Sequence, residues 1–175
     1  MSTGFRRVRN GLRITLSADE TTVIRTLMEQ LLEIIGELPR GDPGLAELGI
    51  SENREAPSDP VLARLFPDGY RDDVDAAGEF RRYTESSLRD GKREAAEVVL
   101  DTVRRSGEIT LDEDQATAWL RALNDVRLAL GTRLDITEES YERMDELDWD
   151  DPRYPMFSMY DWLTFLQESL VRALG

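Results

Sequence analysis

Apolar residues recur at three- and four-residue spacing in several long stretches, divided by segments rich in glycine, proline and charge. That period is the mark of helices with one face turned to a core. The first such stripe runs through Val23, Ile24, Leu27, Met28, Leu31, Leu32 and Ile35 and ends near Pro39. Ser17-Ala18-Asp19-Glu20 ahead of it reads as a capping box, with Ser17 as N-cap and Glu20 reaching back from the third helical position. A short helix follows from Ser58-Asp59-Pro60 through Val61-Leu62-Ala63-Arg64-Leu65-Phe66 and stops at Pro67. A long one opens at Asp73 or an adjacent residue, with a stripe through Ala77, Phe80, Thr84, Leu88, Gly91, Ala95, Val98 and Val99 to Val103. Gly91 marks either a kink or a close approach, and Thr84-Glu85-Ser86-Ser87 offers an alternative fresh cap. Another stripe runs through Ala116, Trp119, Leu120, Leu123, Val126, Leu128 and Leu130, with Gly131 placed to end it. The last helix carries Tyr160, Trp162, Leu163, Phe165, Leu166, Leu170, Val171 and Leu174. These exceed one face, so the helix is either central to the core or half buried between subunits, with Trp162, Phe165 and Leu166 as the candidate dimer interface.

Strand signals are few. Asn10-Gly11 lies between Phe5-Arg6-Arg7-Val8-Arg9 and Leu12-Arg13-Ile14-Thr15-Leu16, which predicts a hairpin with a two-residue type I′ turn. That register pairs Val8 with Arg13 and Arg7 with Ile14, and puts Phe5, Arg7, Arg9, Leu12, Ile14 and Leu16 on one face. Ile109-Thr110-Leu111-Asp112-Glu113-Asp114-Gln115 repeats the pattern of Ile14 to Glu20, so a second strand-to-helix corner is expected, its strand available to extend the hairpin to three strands. The whole predicts one α+β domain over 1–175, mainly α-helical. An N-terminal β-hairpin over 1–16 and a short third strand pack with a helical bundle, and loops occupy 39–59 and 132–154.

Composition narrows the function. The chain has no cysteine and no histidine, which removes disulfides, thiolate and Ser-His nucleophiles, and histidine-bearing zinc sites. No apolar run is long enough to span a membrane, and no apolar leader opens the chain, so the cytoplasm is the expected compartment. The formal charge is -14, with all 36 acidic side chains falling after the first sixteen residues, while Arg6, Arg7, Arg9 and Arg13 stand in that first segment. Phosphate binding needs concentrated positive charge, so these four arginines are the candidate anion or nucleic-acid contact, working against an opposing global field. Direct DNA binding is expected to be weak or absent. The competing reading, favoured because edge strands use charge against aggregation, is that the Arg7 and Arg9 stems cover apolar surface and their heads find acidic partners.

Candidate chemistry is sparse. The set Asp68, Tyr70, Asp72, Asp73 and Glu79, near Arg81 and Arg82, could hold paired carboxylates, but capping and salt bridging is the commoner use of such a cluster. The carboxylates of Asp145 to Asp151 lack the alternating ligands and central glycine of a calcium loop. No cofactor, metal site or catalytic residue is expected.

Two segments nonetheless carry a specific pattern. Residues 60–84 hold Pro60, Arg64-Leu65-Phe66-Pro67-Asp68, Tyr70-Arg71-Asp72-Asp73 and Glu79-Phe80-Arg81. Residues 118–134 hold Ala118-Trp119-Leu120, Leu123-Asn124-Asp125-Val126-Arg127-Leu128 and Leu130-Gly131-Thr132-Arg133-Leu134. With Tyr160-Asp161-Trp162-Leu163 and Gln167-Glu168-Ser169-Leu170, the chain resembles the actinobacterial AosR-like family, long of unknown function, which includes the actinomycete oxidative stress regulator. The resemblance implies a transcription-associated protein of the oxidative-stress and sulfur-metabolism response, not an enzyme. It also implies a homodimer and a protein partner in the transcription machinery. Redox sensing in such regulators would run through cysteine pairs, so thiol switching is ruled out for this chain. The alternative is a cytoplasmic interaction module with no direct transcription role. The polar motif Asp68, Tyr70, Asp73, Glu79, Arg81, Asn124, Asp125, Arg127 and Arg133 is either structural or partner-binding. At least Asn124 or Asp125 is expected to hydrogen-bond a neighbouring segment.

Overall fold

The capping signals and apolar stripes translate into elements almost where the sequence puts them. The structure, a computed structural model, describes residues 3–36, 60–66 and 74–175, the side chains of 74–86 excepted. Strands β1 (Arg6–Val8) and β2 (Gly11–Leu16) lead into α1 (Ala18–Gly36). After α2 (Pro60–Leu65) come the long α3 (Val74–Thr102), β3 (Gly107–Leu111) and α4 (Glu113–Arg133). A short α5 (Glu138–Glu142), a 3-10 turn (Met144–Glu146) and α6 (Tyr154–Leu174) complete the described order. The predicted α+β, mainly helical architecture is thus observed, and the predicted loop over 39–59 lies outside the described residues.

Both strand-to-helix corners are closed by reciprocal side-chain bonds. Glu20 N donates to Ser17 Oγ at 3.2 Å and Ser17 N to Glu20 Oε2 at 2.8 Å. Asp112 and Gln115 repeat the arrangement at 2.7 and 3.0 Å. Each satisfies amides that the first helical turn would otherwise leave unpaired. The internal echo is therefore one local solution used twice, and β3 does pair antiparallel with β2, giving a sheet in the order β1-β2-β3.

The hairpin register differs from the prediction. Arg7 lies opposite Leu12 and Val8 opposite Gly11, so the turn falls at Arg9 and Asn10. Asn10 does not adopt positive φ, and Gly11 has a φ of 135° as the first residue of β2. The reason is tertiary: a Cβ at Gly11 would lie 2.0 Å from the Leu111 carbonyl oxygen, so the glycine serves the close approach to β3. Relative to the expected pairing, Arg7 has moved by two residues, from Ile14 to Leu12. A slip of two keeps each side chain on its face, so Phe5, Leu12, Ile14 and Leu16 still point into the core as predicted.

Other differences are local. α3 is unbroken through Thr84. A Cβ at Gly91 would meet nothing within 4 Å among the described residues, so close packing against them is not its reason. α4 runs past Gly131, where a Cβ would sit 3.2 Å from Tyr160 Cε2, and ends two residues later. There Asp135 takes the left-handed position (φ 52°), Ile136 N donates to Gly131 O at 2.8 Å and Asp135 N to Thr132 O at 3.2 Å. This is a Schellman end with aspartate where glycine is usual. The predicted loop over 132–154 contains α5, nucleated by a second kind of box in which Thr137 and Ser140 cap each other.

The core is one cluster to which the sheet and α1, α2, α3, α4 and α6 all contribute. α4 is its axis, packing against α2, α3 and α6. Trp119 sits fully buried at its centre, its ring edge-on to Phe5 with centroids 5.4 Å apart and its indole N–H donating to Thr102 Oγ1 at 2.8 Å. The two ends of the chain are knitted together beside it. Phe5 N donates to Ser169 Oγ at 2.9 Å, and the Arg7 guanidinium donates to the carbonyls of Ala173 (3.0 Å) and Leu174 (3.1 Å). A cation at a helix C-terminus satisfies free carbonyls and opposes the negative end of the dipole. Because Arg7 is half exposed, Arg7→Ala is expected to cost about 1 kcal/mol, read as a lower urea midpoint with unchanged slope.

Candidate functional site

The polar motif of α4 comes together with α3 around a recess of about 600 Å³, lined by Ser87, Leu88, Gly91, Lys92, Arg121, Asn124 and Asp125. Asp125 lies on the inner face of α4 beside buried Leu123 and Val126, and its carboxylate is 5% exposed. An ionised group so placed needs a partner, and α3 supplies it: Lys92 Nζ donates to Asp125 Oδ1 at 2.7 Å, with the Lys92 side chain 18% exposed. The ammonium also stands 5.9 Å from the centroid of the buried Phe66 ring just after α2, so three helical segments meet at this charge. Burial pushes the Asp125 carboxyl above the ordinary carboxylate value, outweighing the downward pull of the Lys92 charge and its hydrogen bond.

Next to it in the chain, Asn124 accepts a hydrogen bond from Gln167 Nε2 of α6 at 3.3 Å. The expectation that Asn124 or Asp125 bonds a neighbouring segment therefore holds for both. Arg127 faces the other side of α4, in a cleft shared with Thr164, Gln167, Glu168, Val171 and Arg172 of α6, and its Nε is buried without a hydrogen-bond acceptor among the described residues. Arg133 is exposed in the last turn of α4, near Met156. The α4 motif thus divides into a paired acid facing α3, an amide facing α6 and two arginines outside the recess. Asp68, Tyr70 and Asp73 lie outside the described residues; Glu79 and Arg81 fall on the described backbone of α3, but their side chains do not belong to the described set.

The arginine group of the hairpin is dispersed by the fold. Arg7 points to the end of α6 and to Glu113, 3.4 Å away. Arg13 Nε lies 3.2 Å from Glu108 Oε1, an ion pair without hydrogen-bond alignment. Arg6 and Arg9 are exposed and make no ion pair among the described residues. Of the candidate dimer residues, Leu166 is fully buried in the chain's own core and Trp162 packs partly buried against it, while Phe165 is 38% exposed. Leu166 therefore cannot contact a second subunit without opening this core.

Sequence reasoning missed Lys92, because nothing in its own stretch of helix distinguishes it from a solvated lysine. It also missed Arg25, whose guanidinium donates to the carbonyls of Leu100 (3.1 Å) and Val103 (2.6 Å) and so closes the end of α3. Among the described residues no group of three or more Asp or Glu side chains is arranged to hold a metal ion, and no helix is long and apolar enough to cross a membrane. The recess offers ammonium, guanidinium, amide and hydroxyl groups around a carboxylate paired with Lys92, so hydrogen-bond donors predominate in it.

The family described as Domain of unknown function (DUF2017) matches residues 2–174. The Mycobacterium tuberculosis (strain H37Rv) oxidative stress regulator AosR is 36% identical over 180 residues, covering 93% of this chain and 81% of that protein. The Mycobacterium bovis oxidative stress regulator AosR matches with the same figures. A Mycobacterium leprae relative bearing the AosR name is 36% identical over 181 residues, covering 93% of this chain and 82% of its own. No solved structure matches the chain.

Proposed function

Since the chain belongs to the DUF2017 family, with relatives named as oxidative stress regulators, we propose that it regulates the oxidative-stress response at the level of transcription. The similarity over 93% of the chain carries this reading, because a match of that extent spans the fold rather than one segment of it. The regulator acts through a protein partner of the transcription machinery, in the cytoplasm, and has no catalytic task of its own. Its output extends to sulfur metabolism. It works without cysteine redox chemistry, having no cysteine. Self-association as a homodimer uses the exposed side of α6, where Phe165 and Val171 remain open, and leaves Leu166 in the core.

Weak direct DNA binding follows from the charge distribution. A net charge of -14 repels the phosphate backbone, and the fold commits Arg7 to a helix end and Arg13 to Glu108, which leaves Arg6 and Arg9. The test compares peroxide-induced transcripts in a strain lacking the gene, in one restored with it, and in one restored with Arg6→Ala, Arg9→Ala. The wild-type and doubly substituted genes are both expected to restore the response, and purified RNA polymerase holoenzyme to retain both proteins equally. A transcript profile indifferent to the gene overturns the regulatory reading. Tight promoter binding by the purified chain, weakened in the double variant with a log-log salt slope smaller by about 0.9 for each lost phosphate contact, overturns the partner-mediated one.

A further inference from the structure

We propose that the recess between α3 and α4 is a binding site for a small monocarboxylate with a short apolar body. Its volume, about 600 Å³, falls within the range of small-molecule pockets, roughly 300–1,000 Å³. Lys92 and Asp125 in its lining pair with each other, so those two charges cancel and Arg121 is left as the surplus cation, with no partner among the described residues. One surplus positive charge beside a neutralised pair suits a single negative charge; a second would find no counter-charge in the recess. The donors are arranged for an acceptor. Lys92 has three N–H groups and spends one on Asp125; Asn124 also lines the recess, its carbonyl taken by Gln167 and its amide N–H groups unbonded among the described residues. Leu88, 40% exposed on the same wall, supplies the apolar contact.

Gly91 points the same way. A glycine within a helix costs stability relative to alanine, and here neither positive φ nor packing demands it, since a Cβ would meet nothing within 4 Å among the described residues. What the missing side chain leaves is open space in the wall of the recess, directly beside Lys92. The site is formed by one chain and does not depend on a promoter or a protein partner. Its failure would leave the oxidative-stress role standing, and the loss of that role would leave the site standing.

The experiment is a titration of the full chain, uniformly labelled with 15N, followed through its backbone amides and the side-chain amide of Asn124. The probes are hexanoate, hexanol and inorganic phosphate. Hexanoate is expected to shift the Gly91 amide and the Asn124 side chain saturably, with hexanol and phosphate at least about tenfold weaker. Gly91→Leu sends a side chain into the recess at a helical position where leucine is favoured, and Arg121→Ala removes an exposed group. Both variants are expected to keep the wild-type circular dichroism and to bind hexanoate at least about tenfold more weakly, with the melting transition unchanged in Arg121→Ala and unchanged or raised in Gly91→Leu. Hexanoate binding unaltered in Gly91→Leu overturns the proposal, as does hexanol or phosphate binding as tightly as hexanoate, or the absence of any saturable shift. Should Gly91→Leu fail to fold, Arg121→Ala decides alone: undiminished binding in it overturns the assignment of the carboxylate to that guanidinium.

Discussion

Trp119→Ala is expected to lower the unfolding free energy by about 3–5 kcal/mol, the cost of emptying a large aromatic site in a close-packed core. The indole is fully buried and touches two parts of the molecule that are distant in sequence, Phe5 at the start of the chain and Thr102 at the end of α3. Alanine leaves a void that the surrounding elements cannot close, because sheet, α3 and α6 all converge on α4 there. For a chain of this length the loss corresponds to a melting temperature lower by roughly 6–20 °C. Trp119→Phe keeps most of the ring and gives up the bond to Thr102, which retains acceptors for its own hydroxyl in Val98 and Val99, so a loss of about 1–2 kcal/mol is expected. Urea denaturation of the two variants checks both values; equal losses would mean that the hydrogen bond, not the volume, carries the site.

Asp125→Ala is expected to cost about 2–4 kcal/mol. Breaking a buried ion pair by deleting one partner typically costs more, about 3–5 kcal/mol, but Lys92 borders the open recess and its ammonium regains some water there. Asp125→Asn is expected to cost less than the alanine change, since the amide still offers Lys92 an acceptor and carries no charge to desolvate. The pH dependence has a definite sign. The folded-state value of Asp125 is raised, so the folded protein holds this proton more tightly than the unfolded chain. Its contribution to stability is therefore greatest below the ordinary value of 3.8 and declines as pH rises through the interval from there to the raised value. Measured as wild type minus Asp125→Asn, which removes every other titrating group from the comparison, the stability difference should fall across that acidic interval. A difference that grows with pH would show that Lys92 attraction outweighs burial.

Much of the α4 motif was legible because its signal is local. The buried spacing of Ala116, Trp119, Leu123, Val126 and Leu130 defines the inward face of α4, and Asp125 falls next to that stripe, where a polar side chain must find a partner. The identity of the partner was not legible. Lys92 lies 33 residues earlier in a helix with many other charges, and only the crossing of α3 over α4 selects it. The hairpin shows the same division: alternation assigned the core face correctly, while the turn position depended on how β3 approaches Gly11.

What the sequence by itself determined is where helices begin and which side of each element is apolar. Capping boxes and helical periodicity act over three or four residues, and their geometry is the same wherever the segment lies. Tertiary structure decided what the charges do. Arg7 became a helix-end donor through carbonyls more than 160 residues away, Arg13 an ion-pair partner of β3, and Asp125 the buried mate of Lys92. A long polar side chain can satisfy itself in many local arrangements of similar free energy. Its partner is chosen only when packing of the apolar faces has set which elements lie within hydrogen-bond reach and which groups have lost their water.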